Sequence, residues 1–432
     1  MIITVANNPP NAPTVSGPNS AQVNESVTFT ASATDPDNDD VAIRFSWGDG
    51  DTSNWSSYVS SGQSVSMSHT YTTAGTYYVK AQAKDENGAI SNWSTTHEII
   101  VRGWVKTDLG AGGGEMQGVA VGDGRGDGKS RVYAACWDGH IYEFEWTGSS
   151  WVKTHVGPNH CIMSGVAVSD GKGDGKPRVY ACGFEPIYEF EWTGSSWVET
   201  NLGSTNGDVP EGIAVGDGRG DGKPRVYVAG YYIGVADHYG NIYEFEWTGS
   251  SWVKRDLSAG GDCMFEVAIG DGRGDGKPRV YAACGDNHVY EFEWTGNSWV
   301  KTDVGSGGDC MRGVAVGDGR GDGKPRVYAA CMDGHIYEFE WTGSSWVNTE
   351  LGSGCMFKVA VGDGRGDGKP RVYAARDHVY EFEWTGSSWV KTDLGSGSNY
   401  MWKIAVGDGR GDGKPRVYAA CEDGHVYEFE WK

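Results

Sequence analysis

The sequence predicts an all-β chain: a seven-bladed β-propeller, closed by an N-terminal strand, that follows a smaller β domain. Three observations carry this. A unit close to VAVGDGRGDGKPRVYAAC, completed by a second half close to DGHIYEFEWTGSSWVKTDLG, recurs seven times, with its first loop aspartate at Asp123, Asp170, Asp217, Asp271, Asp318, Asp363 and Asp408. The spacings of 47, 47, 54, 47, 45 and 45 residues suit a four-stranded propeller blade. The 432 residues include 68 Gly, 19 Trp and 22 Tyr, which fits many short strands joined by tight turns, and no long amphipathic helix is apparent.

Each unit reads as four strands. In the first, strand a runs from Gly118 to Gly122, b from Arg131 to Cys136, c from His140 to Trp146 and d from Trp151 to His155. Alternation in strand c puts Tyr142, Phe144 and Trp146 on one face. Thr147-Gly148-Ser149-Ser150 makes the hairpin turn between c and d. Trp104 to Leu109 reads as a strand d ahead of the first strand a, whereas the last unit stops after strand c at Trp431-Lys432. The N-terminal strand is therefore expected to complete the last blade, which removes a sheet edge. This divides the chain into a Pro/Asn-rich leader over residues 1–11, a small domain over 12–101 and the propeller over 102–432.

Residues 12–101 lack the repeat and carry Trp47-Gly48-Asp49-Gly50 and a run from His69 to Tyr77, HTYTTAGTY. On those two motifs the segment resembles a PKD domain. The resemblance implies an Ig-like β-sandwich of a kind common in extracellular proteins, where it acts as a spacer or weak interaction module. The stretch Asp35, Asp37, Asp39 and Asp40 offers carboxylates for a Ca²⁺ site, but it is read as an exposed acidic turn.

The a–b loop, together with the preceding strand, resembles the FG-GAP/VCBS repeat of integrin-α-like and lectin propellers over all seven units. That resemblance implies Ca²⁺ held by the first, third, fifth and ninth loop positions. Here the first and fifth are Asp (Asp123, Asp127), but the third and ninth are Arg (Arg125, Arg131). A guanidinium offers no ligand to Ca²⁺. The expectation is a metal-free loop locked by Asp–Arg pairs, with no cofactor. Arg-Gly-Asp occurs six times in these loops, but the scaffold accounts for it without integrin recognition.

The formal net charge of -22 argues against nucleic acid and anionic membrane as partners. No apolar run approaches the length that spans a bilayer. The N-terminal MIITVANNPP does not read as a signal peptide. A secreted or cell-surface location follows from the PKD resemblance, and the sequons at Asn24, Asn54 and Asn92 are compatible with it.

Nine cysteines are scattered through the chain. With Val267 opposite Val280, Cys263 falls opposite Cys284, and Cys310 and Cys331 are related in the same way. Both pairs are therefore candidate intra-blade disulfides. Cys136, Cys355 and Cys421 have Glu115, Arg376 and Tyr400 as partners and are expected to be free. No CxxC or HxxxH spacing points to zinc. The histidines that open strand c (His140, His288, His335, His378, His425) and the Glu pair of each strand c (Glu143 and Glu145 in the first) recur around the repeat. They are read as scaffold, because seven copies of one pair cannot form one active site. No nucleophile elbow or nucleotide loop appears.

Function is sought where the copies differ. Variation clusters at the start of strand a and in the b–c loop, which share one face. Gln117, Ser164, Glu211, Phe265, Arg312, Phe357 and Trp402 open strand a, followed by Glu266, Lys358 and Lys403 where other units have Gly. These residues are expected to ring the mouth of a central channel. The third unit adds an insertion with Tyr231, Tyr232, His238 and Tyr239. Aromatic faces beside Arg, Glu and Gln suit a sugar or peptide ligand. The expected function is an extracellular, non-catalytic module that binds a glycan or surface protein. Two alternatives are a polysaccharide lyase or hydrolase on the same scaffold and a purely structural surface component.

Overall fold

A computed structural model describes residues 7–184, 186–233, 238–257, 262–354 and 356–432; the side chains of Ile233 and His238 lie outside that description. The described residues contain strands, turns and bends and no α-helix. Two compact units emerge, one up to Val105 together with Trp431–Lys432, the other Lys106–Glu430.

The first unit is a pair of sheets. One orders Thr14–Ser16, Ser26–Ser32 and Ser64–Thr70, and the other orders Ser20–Gln22, His97–Arg102, Gly75–Asp85 and Val41–Ser46. Alternating burial along Ser26–Ser32 and Gly75–Asp85 turns Val27, Phe29, Ala31, Val79, Ala81 and Ala83 into one core. The two motifs that carried the resemblance meet there. Trp47 stacks between Phe45 (centroids 5.0 Å) and His69 (4.8 Å), and the Tyr71 hydroxyl donates to the Trp47 carbonyl at 3.0 Å. The leader is tied down at its end: the Asn7 amide donates to Asp85 and the Asn8 amide to Asp37.

The second unit holds seven four-stranded antiparallel sheets. In the first, strand a is Met116–Gly122, b is Arg131–Cys136, c is Ile141–Trp146 and d is Trp151–Val156. The seventh sheet takes its a, b and c strands from Met401–Gly407, Arg416–Cys421 and His425–Trp431, and its outer strand from Trp104–Ala111. Strands a of successive sheets are neighbours, and the seventh strand a lies beside the first. Every strand b is fully buried through Val-Tyr-Ala or its equivalent, which forms the cores between sheets.

The repeated loop accounts for the close similarity of the sheets. Asp123 accepts from the backbone N–H groups of Asp127 and Gly128, closing the turn from inside. Arg131 forks onto Asp127 at 2.9 and 2.8 Å, so the expected Asp–Arg lock exists between the fifth and ninth positions. The third position corrects that expectation. Arg125 turns away from the loop carboxylates and pairs with the buried Glu143 of strand c, which also accepts from Tyr133 at 3.0 Å. Its guanidinium also lies 4.4 Å over Trp192 of the next sheet. Arg219, Arg273 and Arg320 repeat this contact, and Arg410 of the seventh sheet lies 4.2 Å over Trp146 of the first. The recurring Glu is thus the buried counter-ion of the joint between sheets.

The predicted disulfides are corrected too. Each strand a slips register near its start, so Met264 faces Cys284 and Met311 faces Cys331. Val267 lies opposite Ala282, not Val280. Cys263, Cys284, Cys310 and Cys331 are free thiols, as are Cys136 and Cys421, while Cys355 lies outside the described residues.

Candidate binding site

The register slip is the device that builds the site. In all seven sheets one residue of strand a is left unpaired: Gln117, Ser164, Glu211, Phe265, Arg312, Phe357 and Trp402. These are the seven variable positions. A bulge of this kind inserts one residue, bends the strand and re-aims a side chain without breaking the ladder on either side.

The next position decides how close neighbouring strands come. A Cβ added at Gly212 would lie 2.8 Å from the Glu266 Cα, so glycine is required there for strand contact. Where the chain has Glu266, Lys358 and Lys403 instead, the side chains reach inward. They line a cavity of 340 Å³ whose remaining wall is Val, Ala and Ile from the strands a. Lys358 Nζ donates to Glu266 at 3.2 Å, to Glu211 at 3.3 Å and to the Arg312 carbonyl at 3.0 Å. Lys403 pairs with the same Glu266 carboxylate.

Electrostatics follow from that wiring. Burial pushes Lys358 toward neutrality, but Glu266 and Glu211 outweigh it and hold its pKa above the ordinary lysine value. For Lys403, burial wins over the single shared Glu266, with Lys358 repelling, and its pKa falls. Burial alone would raise Glu266, but the two ammoniums hold its pKa below the ordinary glutamate value. Expected to ring the mouth of the channel, Phe265, Glu266, Phe357 and Lys358 are buried.

Above this cluster runs an arc of alternating rings and guanidiniums. Tyr231 packs on Phe265 (5.4 Å), Arg312 lies 3.8 Å over Phe265 and 6.0 Å from Phe357, and Phe357 stacks with Trp402 (6.0 Å, 24°). Arg376 lies 3.8 Å over the same Phe357 and 4.9 Å from Tyr400, which meets Trp402 edge-on. Nine of the expected residues are therefore brought together: Tyr231, Glu211, Phe265, Glu266, Arg312, Phe357, Lys358, Trp402 and Lys403. Gln117 instead bonds Glu115, on the side of the first sheet. Tyr232 and Tyr239 stack on each other (4.8 Å) in the extended hairpin of the third sheet. The His238 side chain lies outside the described residues.

Sequence reasoning left Arg376 and Tyr400 out of the site. A signal was present, since Arg376 replaces the strand-b cysteine of other units and Tyr400 the Cys263-type position.

Two further expectations concern metals. Asp35, Asp37 and Asp39 bring carboxylate oxygens within 4.8 Å of one another. Asp35 is only 6% exposed, which corrects its reading as an exposed turn; its Oδ1 accepts from the Asp37 and Asp39 N–H groups. Such oxygens suit a hard cation. In the repeated loops Arg131 occupies the oxygens of Asp127 that a cation would need.

Residues 11–97 match the family model described as PKD domain. The PKD domain of an M14-like peptidase from a Thermoplasmatales archaeon is 40% identical, over 22% of this chain and 98% of that one, with a TM-score of 0.21. Through that segment the chain belongs to the PKD domain family. Over the longer span it is similar to the Dos1 propeller, at 9% identity, 98% and 95% coverage and a TM-score of 0.48. It is also similar to a mutant Aleuria aurantia lectin in complex with Fucalpha1-6GlcNAc, at 17% identity, 62% and 94% coverage and a TM-score of 0.41. No curated protein matches the chain.

Proposed function

We propose that this chain is a non-catalytic, extracellular binding module in which a closed seven-bladed propeller, of FG-GAP/VCBS-like repeats, presents one glycan site on its variable face. Closure is supported by the outer strand Trp104–Ala111 in the seventh sheet and by Arg410 stacking on Trp146. The observation that carries the function is the arc from Tyr231 to Trp402. Its aromatic rings and guanidiniums come from five different sheets, and Phe265, Arg312, Phe357 and Trp402 among them stand at bulged positions. Aromatic faces flanked by fixed polar groups are what a pyranose ring requires, with its apolar C–H face and hydroxyl rim. The acids of the site, half-buried Glu211 and buried Glu266, are engaged by Lys358 and Lys403, which favours binding over acid–base catalysis. A secreted or surface location accords with the PKD domain.

Binding of the full chain to a glycan array tests this. Saturable binding that disappears in the Trp402→Ala variant is the expected result. An array on which wild type and variant give the same profile, or no signal, would reject it.

A further inference from the structure

We infer that the variable-face site selects a carboxylate-bearing sugar, a uronate-type residue of an acidic glycan, and that Arg312 receives the carboxylate. This rests on the glycan reading of the arc and names the ligand class within it.

Arg312 stands apart from the loop arginines. Arg131, Arg225, Arg279, Arg326 and Arg416 each fork onto an aspartate at 2.8 to 2.9 Å. Arg312 has no such partner. Its Nε points at the Met332 sulfur at 3.5 Å, and its nearest carboxylate, Glu211, is 3.7 Å away. Thioether sulfur is a weak acceptor, so the donors of a side chain that is 28% exposed are held ready but nearly unused. The guanidinium plane is fixed all the same, by Phe265 at 3.8 Å. A cation already oriented and only partly solvated suits a forked, charge-assisted pair with a planar carboxylate.

The charge count of the cluster agrees. Arg312, Lys358 and Lys403 face two carboxylates, Glu211 and Glu266, and both lysines have already claimed Glu266. Within these five groups cations outnumber carboxylates by one, in a chain whose net charge is -22. Arg376 adds another cation along the arc, over Phe357. Beside Arg312, the Tyr231 ring packs on Phe265 and its hydroxyl makes no hydrogen bond to the described residues. Further along, Tyr400 is 41% exposed. A uronate supplies what each group lacks: a carboxylate for Arg312, hydroxyls for Tyr231 and a C–H face for the rings.

The test uses the full chain and a panel of galacturonate, glucuronate and mannuronate oligosaccharides, each beside its carboxyl-reduced, neutral counterpart. At least one acid form is expected to bind about tenfold or more tighter than its reduced form. That preference should weaken as salt is raised and vanish in Arg312→Ala, while Arg312→Lys keeps part of it. Thermal midpoints of the variants report whether each is folded. Equal binding of acid and reduced forms, still lost in Trp402→Ala, would overturn the carboxylate assignment and leave the glycan site standing. Acid preference that persists in folded Arg312→Ala would overturn the role of Arg312. No binding of either form, on the panel or the array, would remove the glycan reading and this inference with it.

Discussion

The two faces of the repeat unit use the same residue types to opposite ends. On the repeated face, Arg, Glu, Asp and Trp form sets completed within one sheet and its neighbour: Arg131 with Asp127, Arg125 with Glu143 and Trp192. On the variable face, Arg, Lys, Glu and Trp are shared across sheets and left incompletely matched: Glu266 serves two lysines, and among the described residues Arg312 has no oxygen within hydrogen-bond distance. Local pairs, each with its partner in the same sheet or the next, can be copied seven times without interfering. A site that must contact something else cannot be saturated, and it cannot be copied. The difference between the faces teaches that the repeat supplies stability and the departures from it supply function.

The sharpest way to break this comparison is to unbalance one repeated set. Glu338→Gln leaves Arg320 and Tyr328 facing an amide at a fully buried position. A loss of about 3 kcal/mol is expected, because the half-buried Arg320 loses the nearer of its two carboxylates at a buried position and keeps only Glu340 at 3.8 Å. Thermal unfolding should show it, with glycan binding unchanged below the new midpoint.

Next in size is the reverse experiment on the variable face. Trp402→Ala combined with Arg312→Ala should weaken ligand binding by about 2 kcal/mol or more. Stability should move less than for Glu338→Gln, since neither side chain is a partner in a repeated set. A stability loss as large as that of Glu338→Gln would show that the arc is structural.

A smaller and more gradual effect is expected from acid. Hydrogen bonds from their arginines hold Asp127, Asp221, Asp322 and Asp412 at about 2, below the ordinary 3.8. The unfolded chain therefore takes up protons first as pH falls. Stability from these pairs is complete above about pH 4 and is lost progressively toward pH 2. Replacing Arg326 by Met should shrink that acid-sensitive share, as read by thermal midpoints across the window. The smallest effect concerns thiols. Because Cys263, Cys284, Cys310 and Cys331 are free, a reductant should leave the thermal midpoint where it was.

Much of the fold was legible in the sequence because it rests on local patterns. Period-two alternation and Gly-containing turns placed strands b, c and d of the first unit within a residue or two. The Arg131–Asp127 lock was legible because both partners belong to one loop. Register was not. A one-residue bulge leaves no composition signal, and it both defeats the Cys263–Cys284 pairing and aims Phe265, Arg312 and Trp402. Variation among the copies located most of the arc but not its depth, so Phe357 and Lys358 were expected at the rim and lie buried. Arg125 was assigned to a loop carboxylate because the strand-c glutamate that captures it is 18 residues away in sequence. Arg376 and Tyr400 were weighed only as absent cysteines, which hid their own chemistry.

The most direct measurement places both faces on one array: wild type, Arg312→Ala with Trp402→Ala, and Lys324→Ala with Thr342→Ala in the repeated groove beside Trp341. Binding is expected to be lost in the first variant and kept in the second, whose groove has equivalents beside Trp192 and Trp247. Binding that survives in the first variant, whatever the second does, would put the ligand away from the variable face and contradict this.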